Sequence, residues 1–472
     1  MFPMLRFTRL TLLTILTLLA PGFLAGCSRL PPPGPDQPLL VGLPADPIFQ
    51  QAALAAEGMD GFSRDLTALF AESLDVSVHY VSAPNYPAAL EMVRSGKVHL
   101  AATLPIQESD PTLRFSPPLR EARQLIVRHS STLPIDSPSQ LAGREILAMP
   151  GAPQIAVIKA LEMSSPPVIV EVDHLDEIEM LTAVARQRRQ FAATTDLHYA
   201  VAANLHPDLD EALVLPGKLS YVWAMHADDS GLEAQLTRFI DEMKRNGTLR
   251  RLDDRYFGHI RRINSNDMTA FLGHARTRLQ DFRADFQEAQ EITGIDWRLL
   301  AALAYQESKW DPLATSYTNV RGLMMLTEDT ADRMGVTNRL DPKQSIRAGA
   351  KYLATLMDEL PDEVKHPDRL WFALAAYNLG MGHLRGARIF APSLNRDPNL
   401  WVDMKQVLPL MARPEYYTRL KSGRARGGEA VILVENIRNY YDVLTRLAPI
   451  FTPPSLAANK TSVKKMKRKT PK

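Results

Sequence analysis

Glu307 stands where a carboxyl group can serve as a proton donor. Asp296 is a good N-cap for a helix that begins at Trp297. Along that helix Leu299, Leu300, Leu303 and Ala304 make an apolar face, and Glu307 follows Leu303 by four residues and Leu300 by seven. It therefore projects from the side that packs inward. Removing water from a carboxyl group disfavours its charged form and raises its pKa. A carboxyl that stays protonated near neutral pH is what glycoside cleavage needs as its general acid. Pro312 ends the helix one turn later. The plainer reading is a glutamate at a helix end, satisfied by a salt bridge. A hydrolase of the lysozyme kind also needs a second carboxylate. Asp311, four residues on, directly precedes Pro312 and reads as a turn former, and Glu328 reads as a solvated residue at a helix start.

These residues fall in the second of two domains. Across 38–258, β-type runs (Leu39 to Leu43, Val76 to Tyr80, Val98 to Ala102, Ile146 to Met149, Val168 to Val172) alternate with helical ones. The helical runs are Phe62 to Leu74, Tyr86 to Ser95 and Asp176 to Arg186. Such alternation predicts an α/β domain with mainly parallel sheets. Residues 259–267 read as a linker and 268–450 as a mainly helical domain. Lys and Arg number 55 against 53 Asp and Glu, so no overall charge draws the chain to nucleic acid. No metal or cofactor site is expected. The tail, 451–472, carries Lys460, Lys464, Lys465, Lys467, Arg468, Lys469 and Lys472 and reads as disordered and solvated. Its functional alternative is loose attraction to anionic lipid or to acidic stem peptides.

At the other end, Arg6 and Arg9 precede an apolar run from Leu10 to Ala20, too short to span a bilayer but suited to an export signal. Leu24-Ala25-Gly26-Cys27 closely resembles the lipobox of bacterial lipoproteins, which implies that 1–26 is removed and Cys27 is lipidated. An ordinary secretory signal is the alternative. Cys27 is the only cysteine, so no intramolecular disulfide is possible. Ser28, by the same resemblance, implies sorting to the outer membrane, whose lipid would hold the acylated Cys27. The prolines of 31–38 predict an extended, semi-rigid spacer after the anchor, with 27–37 as the linker.

The surroundings of Glu307 carry a more specific resemblance. Glu307-Ser308-Lys309-Trp310-Asp311-Pro312, then Ala314-Thr315-Ser316, then Val320-Arg321-Gly322-Leu323-Met324-Met325-Leu326-Thr327, and finally Ala375-Ala376-Tyr377-Asn378 with Gly380 stand in this order. The set resembles the goose-lysozyme-like domain of the lytic transglycosylases over most of 290–440. The resemblance implies a lysozyme-like fold and a substrate of peptidoglycan glycan strands. It implies Glu307 as catalytic residue, with Ser308, Gly322, Met324, Met325, Tyr377 and Asn378 at the substrate; for Met324 and Met325 a plain core role stays open. Ser308 would hold Glu307 or the N-acetyl group of the sugar. One departure stands out: Leu433 occupies the place where these enzymes usually carry a tyrosine that orients the acid.

The first domain resembles the two-lobed periplasmic solute-binding domains of the amino-acid type. Gly61-Phe62 with Asp65-Leu66, Ser95 to Leu100, Phe115-Ser116-Pro117 and Asn246 to Gly258 carry that likeness in order. A solute-binding-like domain ahead of the lysozyme-like one is the architecture of one membrane-bound branch of the transglycosylases. The resemblance implies an arginine clamp for a ligand carboxylate a few residues before Phe115, but the only arginine there, Arg114, abuts it. Asp196 matches the position that would hold an α-ammonium group. A structural or regulatory lobe pair with no free amino-acid ligand, and a sensor that takes a muropeptide or another small-molecule effector, both fit. Three functions stay open: a lytic transglycosylase, a hydrolytic muramidase on the same fold, and a weakly active wall-sensing lipoprotein.

Overall fold

The computed structural model describes residues 30–50, 60–106, 110–163, 165–261 and 263–452. The signal segment, Cys27 and the lysines from 460 onward lie outside the described residues. Nine strands form one sheet: β1 (Leu39–Pro44), β2 (Val78–Ala83), β3 (Leu100–Ile106), β4 (Leu113–Phe115), β5 (Arg120–His129), β6 (Glu145–Ala148), β7 (Val168–Glu171), β8 (Phe191–Thr195) and β9 (Leu209–His226). Their order is β2-β1-β3-β9-β5-β8-β6-β7, with β4 paired to β9.

β1 pairs in parallel with β2 and β3 in the first lobe, and β6 with β7 and β8 in the second. The sheet as a whole is nevertheless mixed, which corrects the expectation of mainly parallel strands. β5 and β9 run antiparallel to each other and carry the chain between the lobes, β9 also pairs antiparallel with β3, and β5 with β8. Alternation in the sequence registers βαβ units; it does not register two long strands that return across the middle of the sheet.

The second domain is helical. Its helix Trp297–Ser308 is buried at every position from Trp297 to Tyr305, so it is a central helix with no wet face. It packs against Arg278–Thr293 and against the long C-terminal helix Gly427–Leu447. The two domains do not meet as bodies on a free tether. Asn439, fully buried, donates to the carbonyls of His259 and Ile260, at 2.9 Å each, and Asn204 of the first domain donates to the same Ile260 carbonyl at 2.9 Å. Arg438, also fully buried, donates to the carbonyls of Asp254 (2.7 Å) and Arg255 (3.0 Å) at the end of helix Thr248–Phe257 and pairs with Glu435 at 2.7 Å. The stretch predicted as linker is thus pinned from both sides at its start.

The proline-rich segment is also less extended than expected. Gly34 and Gln37 exchange backbone hydrogen bonds at 2.9 and 3.0 Å, and His99 of the first lobe bonds the Pro31 carbonyl at 2.9 Å.

Candidate functional site

Helix Trp297–Ser308 ends abruptly at Ser308, one residue past Glu307. Lys309 and Trp310 both adopt left-handed backbone, with φ of 55° and 56°. Non-glycine residues rarely hold this conformation unless their surroundings enforce it. Trp310 supplies the constraint: its side chain is buried, and its Nε1 donates to the Ala301 carbonyl at 2.8 Å. Among the described residues no hydrogen bond or ion pair engages the Glu307 carboxyl, so the salt-bridge reading finds no partner. Part of the residue stays open to solvent while protein surrounds its acid group. Burial alone pushes it up to about 7.

The loop Gly322 to Met325 is clamped beside it by three helices. Ser308 Oγ lies 2.8 Å from the Leu323 carbonyl and 3.0 Å from that of Ala304. Met324 N–H donates to Ser345 Oγ at 3.1 Å, from helix Pro342–Asp358. The Tyr377 hydroxyl donates to the Met324 carbonyl at 2.8 Å, from helix Asp368–Leu379. Ser308 therefore holds the loop rather than Glu307, a correction to its expected role. The single hydroxyl proton has two backbone acceptors within reach, and the group is buried. The side chain of Met324 is wholly buried and rests on Gly349. Its core reading holds for the side chain, while its backbone shapes the site. Met325 is half-buried with φ 47°, Tyr377 is half-buried and Asn378 is exposed.

Gly322 has φ +82°, and a Cβ there would sit 1.9 Å from the Arg339 carbonyl oxygen. Gly322→Ala meets both left-handed strain and backbone overlap, an expected cost of about 2–6 kcal/mol. Denaturant unfolding of the variant checks this; an unchanged midpoint would contradict the geometry.

The other carboxylates behave as the plainer readings expect. Asp311 Oδ1 accepts from Leu313 N–H at 2.9 Å and shapes the turn, and Glu328 is 71% exposed. Leu433 is buried in helix Gly427–Leu447, and the tyrosines near it in sequence are engaged elsewhere. Tyr441 donates to Asp296 at 3.1 Å, Tyr440 packs on Tyr305 and Phe271, and Tyr416 packs on Phe390. Tyr377, which holds the same loop as Ser308, has its ring against Tyr352 with centroids 5.3 Å apart.

In the first domain, neither residue proposed for a ligand lines the space between the lobes. Asp196 pairs with Arg261 at 2.9 Å and Arg123 at 3.4 Å. Arg114, exposed on β4, donates to the Leu113 carbonyl at 3.1 Å. The inner cleft is closed by other residues. His198 Nε2 lies 3.3 Å from a carboxylate oxygen of Asp46, in the first lobe, and 3.3 Å from one of Glu177, in the second. Its Nδ1 meets Thr195 Oγ1 at 2.8 Å, the Tyr86 hydroxyl donates to Asp46 at 2.7 Å, and Thr194 donates to Glu177 at 2.6 Å. Burial would push the imidazole down, but the carboxylates of Glu177 and Asp46 outweigh it and raise His198 to about 9. The space left there, lined by Tyr86, Gln154, Glu177 and Tyr221, is about 10 Å³, room for about one water molecule. A larger inter-lobe cavity of about 470 Å³ lies further out between Leu90, Ile106 and Phe115 on one side and Ala152, Ile155 and Lys159 on the other. Nothing local in the sequence marks this cluster, since Asp46 and His198 are 152 positions apart.

Residues 285–395 match the Transglycosylase SLT domain family, and residues 41–259 match the bacterial extracellular solute-binding proteins, family 3. The chain is 39% identical over 435 residues to the membrane-bound lytic murein transglycosylase F of Thiobacillus denitrificans, covering 91% of this chain and 92% of that one. It belongs to the membrane-bound lytic murein transglycosylase F family. The relative of the same name from Methylobacillus flagellatus is 40% identical, with 83% of this chain and 85% of that one covered. Among solved structures, the first domain is similar to a mutant arginine-binding protein of T. maritima, at 22% identity and a TM-score of 0.42, over 47% of this chain and 95% of that one. Within the transglycosylase, Glu307, the clamped loop and Tyr377 all lie inside the matched SLT segment, whereas Leu433 lies beyond it. Among the described residues no helix is long and apolar enough to cross a membrane.

Proposed function

We propose that the chain cleaves the bond between N-acetylmuramic acid and N-acetylglucosamine in peptidoglycan without water, leaving 1,6-anhydromuramoyl ends. The observation that carries this is one desolvated carboxyl at the end of a buried helix, raised to about 7 and without a hydrogen-bond or ion-pair partner among the described residues. Glu307 gives its proton to the glycosidic oxygen as the C1–O bond breaks. The neighbouring N-acetyl group stabilises the oxocarbenium-like centre. The Glu307 carboxylate then takes the proton of the C6 hydroxyl as that oxygen bonds C1, which returns the acid to its starting state. Gly322, Met325, Tyr377 and Asn378 are assigned to the sugar-facing side.

Mass analysis of digested peptidoglycan tests the reading. Anhydro ends support it, reducing ends replace it with hydrolysis, and no fragments leave a wall-sensing role. Since the first step needs protonated Glu307, turnover should be level below about pH 7 and fall about tenfold per pH unit well above it. A profile that instead rises through pH 7–8 would contradict the acid-first order.

The proposal extends to place and control. Lipidated Cys27 would tether the enzyme to the periplasmic face of the outer membrane. The cavity of about 470 Å³ between the lobes is the space offered to a muropeptide or another small wall fragment as effector. Calorimetry of the whole protein with muropeptides and with free amino acids tests the second point: heat from muropeptides supports it, and silence with both overturns it.

A further inference from the structure

Leu30, half-buried, lines a cavity of about 250 Å³ on the first lobe together with Val93, Gly96, Val98, His99 and His226. The next residues are held there as well. Nδ1 of the buried His99 accepts from Leu40 N–H at 2.9 Å, so its Nε2 carries the proton and donates it to the Pro31 carbonyl at 2.9 Å. Gly34 and Gln37 close a turn behind that contact, and Leu39 N–H donates to the Ser77 carbonyl at 2.8 Å as β1 begins. Fully extended, the eight residues 31–38 would hold the lobe about 25 Å away from an anchor. Folded back onto the lobe, they contribute no such distance. The stand-off is left to the chain between Cys27 and Leu30, and three peptide steps span at most about 11 Å by any path.

Acyl chains on Cys27 lie in the hydrocarbon of a bilayer and keep that residue at the level of the headgroups. We infer that the first lobe rests on the membrane by one rim, made of the turn 95–98 after helix Tyr86–Arg94 and the turn 226–229 after β9. This rests on the reading of Cys27 as acylated. The rim does not seek lipid by charge. Arg94 is bound to Asp110 at 2.6 Å, which leaves the exposed Lys97 against Asp228 and Asp229, not the cluster of cations that draws a surface to anionic headgroups. The contact is imposed by the shortness of the tether, and the proline segment is a clasp rather than a spacer. β9 leads away from the rim. It runs from His226 back to Leu209, which pairs with His129 in the second lobe, a path of up to about 56 Å. The second lobe is thereby held clear of the bilayer.

The test uses the full-length lipoprotein in phosphatidylcholine vesicles that carry a nitroxide-headgroup lipid as quencher. Acylation consumes the one native thiol, so a fluorophore goes only to an introduced cysteine. Lys97→Cys and Asp228→Cys place it on the rim, and Arg189→Cys places it on an exposed turn of the second lobe, two residues before Phe191, which pairs with Arg128 near the far end of β9. Fluorescence should be lost at 97 and 228 and kept at 189. The loss should persist at about 1 M salt, where charge attraction reaches only about 3 Å. Ten glycine and serine residues inserted between Arg29 and Leu30 add about 16–19 Å of reach. They should restore the signal at both rim positions with the clasp and the fold intact. Equal loss at all three positions, no loss at the rim, a loss abolished by salt or a loss that survives the insertion overturns the inference. Mass analysis of the amino-terminal peptide separates the two levels: without acyl chains the anchor reading itself falls, and with them the fluorescence outcomes decide this inference alone.

Discussion

Glu307→Gln is expected to lower the release of anhydromuropeptides about 10²–10⁴-fold, the usual contribution of a positioned general acid. Glutamine has nearly the same shape and no proton to give. Because no hydrogen bond or ion pair engages the native carboxyl among the described residues, the amide breaks nothing that holds the fold. It also removes a group whose charged form is penalised by burial. The thermal midpoint should therefore be kept or raised. This combination, lost turnover with an intact or firmer fold, distinguishes a chemical role from a structural one. Turnover within tenfold of the native protein would remove Glu307 from the reaction, and a lower midpoint would show that the carboxyl has a partner after all.

A large effect on stability is also expected at His198. Its imidazole stands between two carboxylates, Asp46 from one lobe and Glu177 from the other, with no exposed surface of its own. In His198→Ala the two acids face each other across an empty, water-poor space. Removing one member of a buried ionic group typically costs about 3–5 kcal/mol, a large part of the 5–15 kcal/mol that holds an ordinary domain. Denaturant unfolding of the whole protein should show the first domain lost at markedly lower denaturant. The same cluster sets a pH dependence. The folded value of about 9 lies above the ordinary 6.5 of histidine, so protonation favours the folded state. That contribution is complete below about pH 6.5 and disappears as pH rises through 9. The native protein should lose stability across that window, and His198→Ala should lose this part of the slope. An alkaline profile identical in both would show that the imidazole does not bridge the lobes. The cluster also explains why the amino-acid grip expected at Asp196 and Arg114 is not found between the lobes: the inner cleft already holds a cation of the protein's own.

The helix under Glu307 was legible from residue order because its cues are local. Asp296 caps it, Leu299, Leu300 and Leu303 mark its inward side, and Pro312 bounds it, all within one short window. The same holds for the ordered motifs around Glu307, for the glycine at 322 and for the α/β alternation of the first domain, since period, caps and turn residues act between near neighbours. The order of the two domains follows from them. The state of Glu307 depended on more. An inward-facing carboxyl is equally compatible with a buried ion pair, and no count of residues tells whether a cation from a distant helix reaches it. Ser308 Oγ turned to the Leu323 carbonyl, and Tyr377 to that of Met324, because three helices converge on one loop, and convergence is set by packing. Asp196 found Arg261 and Arg123, while His198 found Asp46, through contacts separated by up to 152 positions. Side-chain charge and hydrogen bonding are settled by whatever folding brings within about 3–4 Å, and that neighbourhood is a property of the assembled chain.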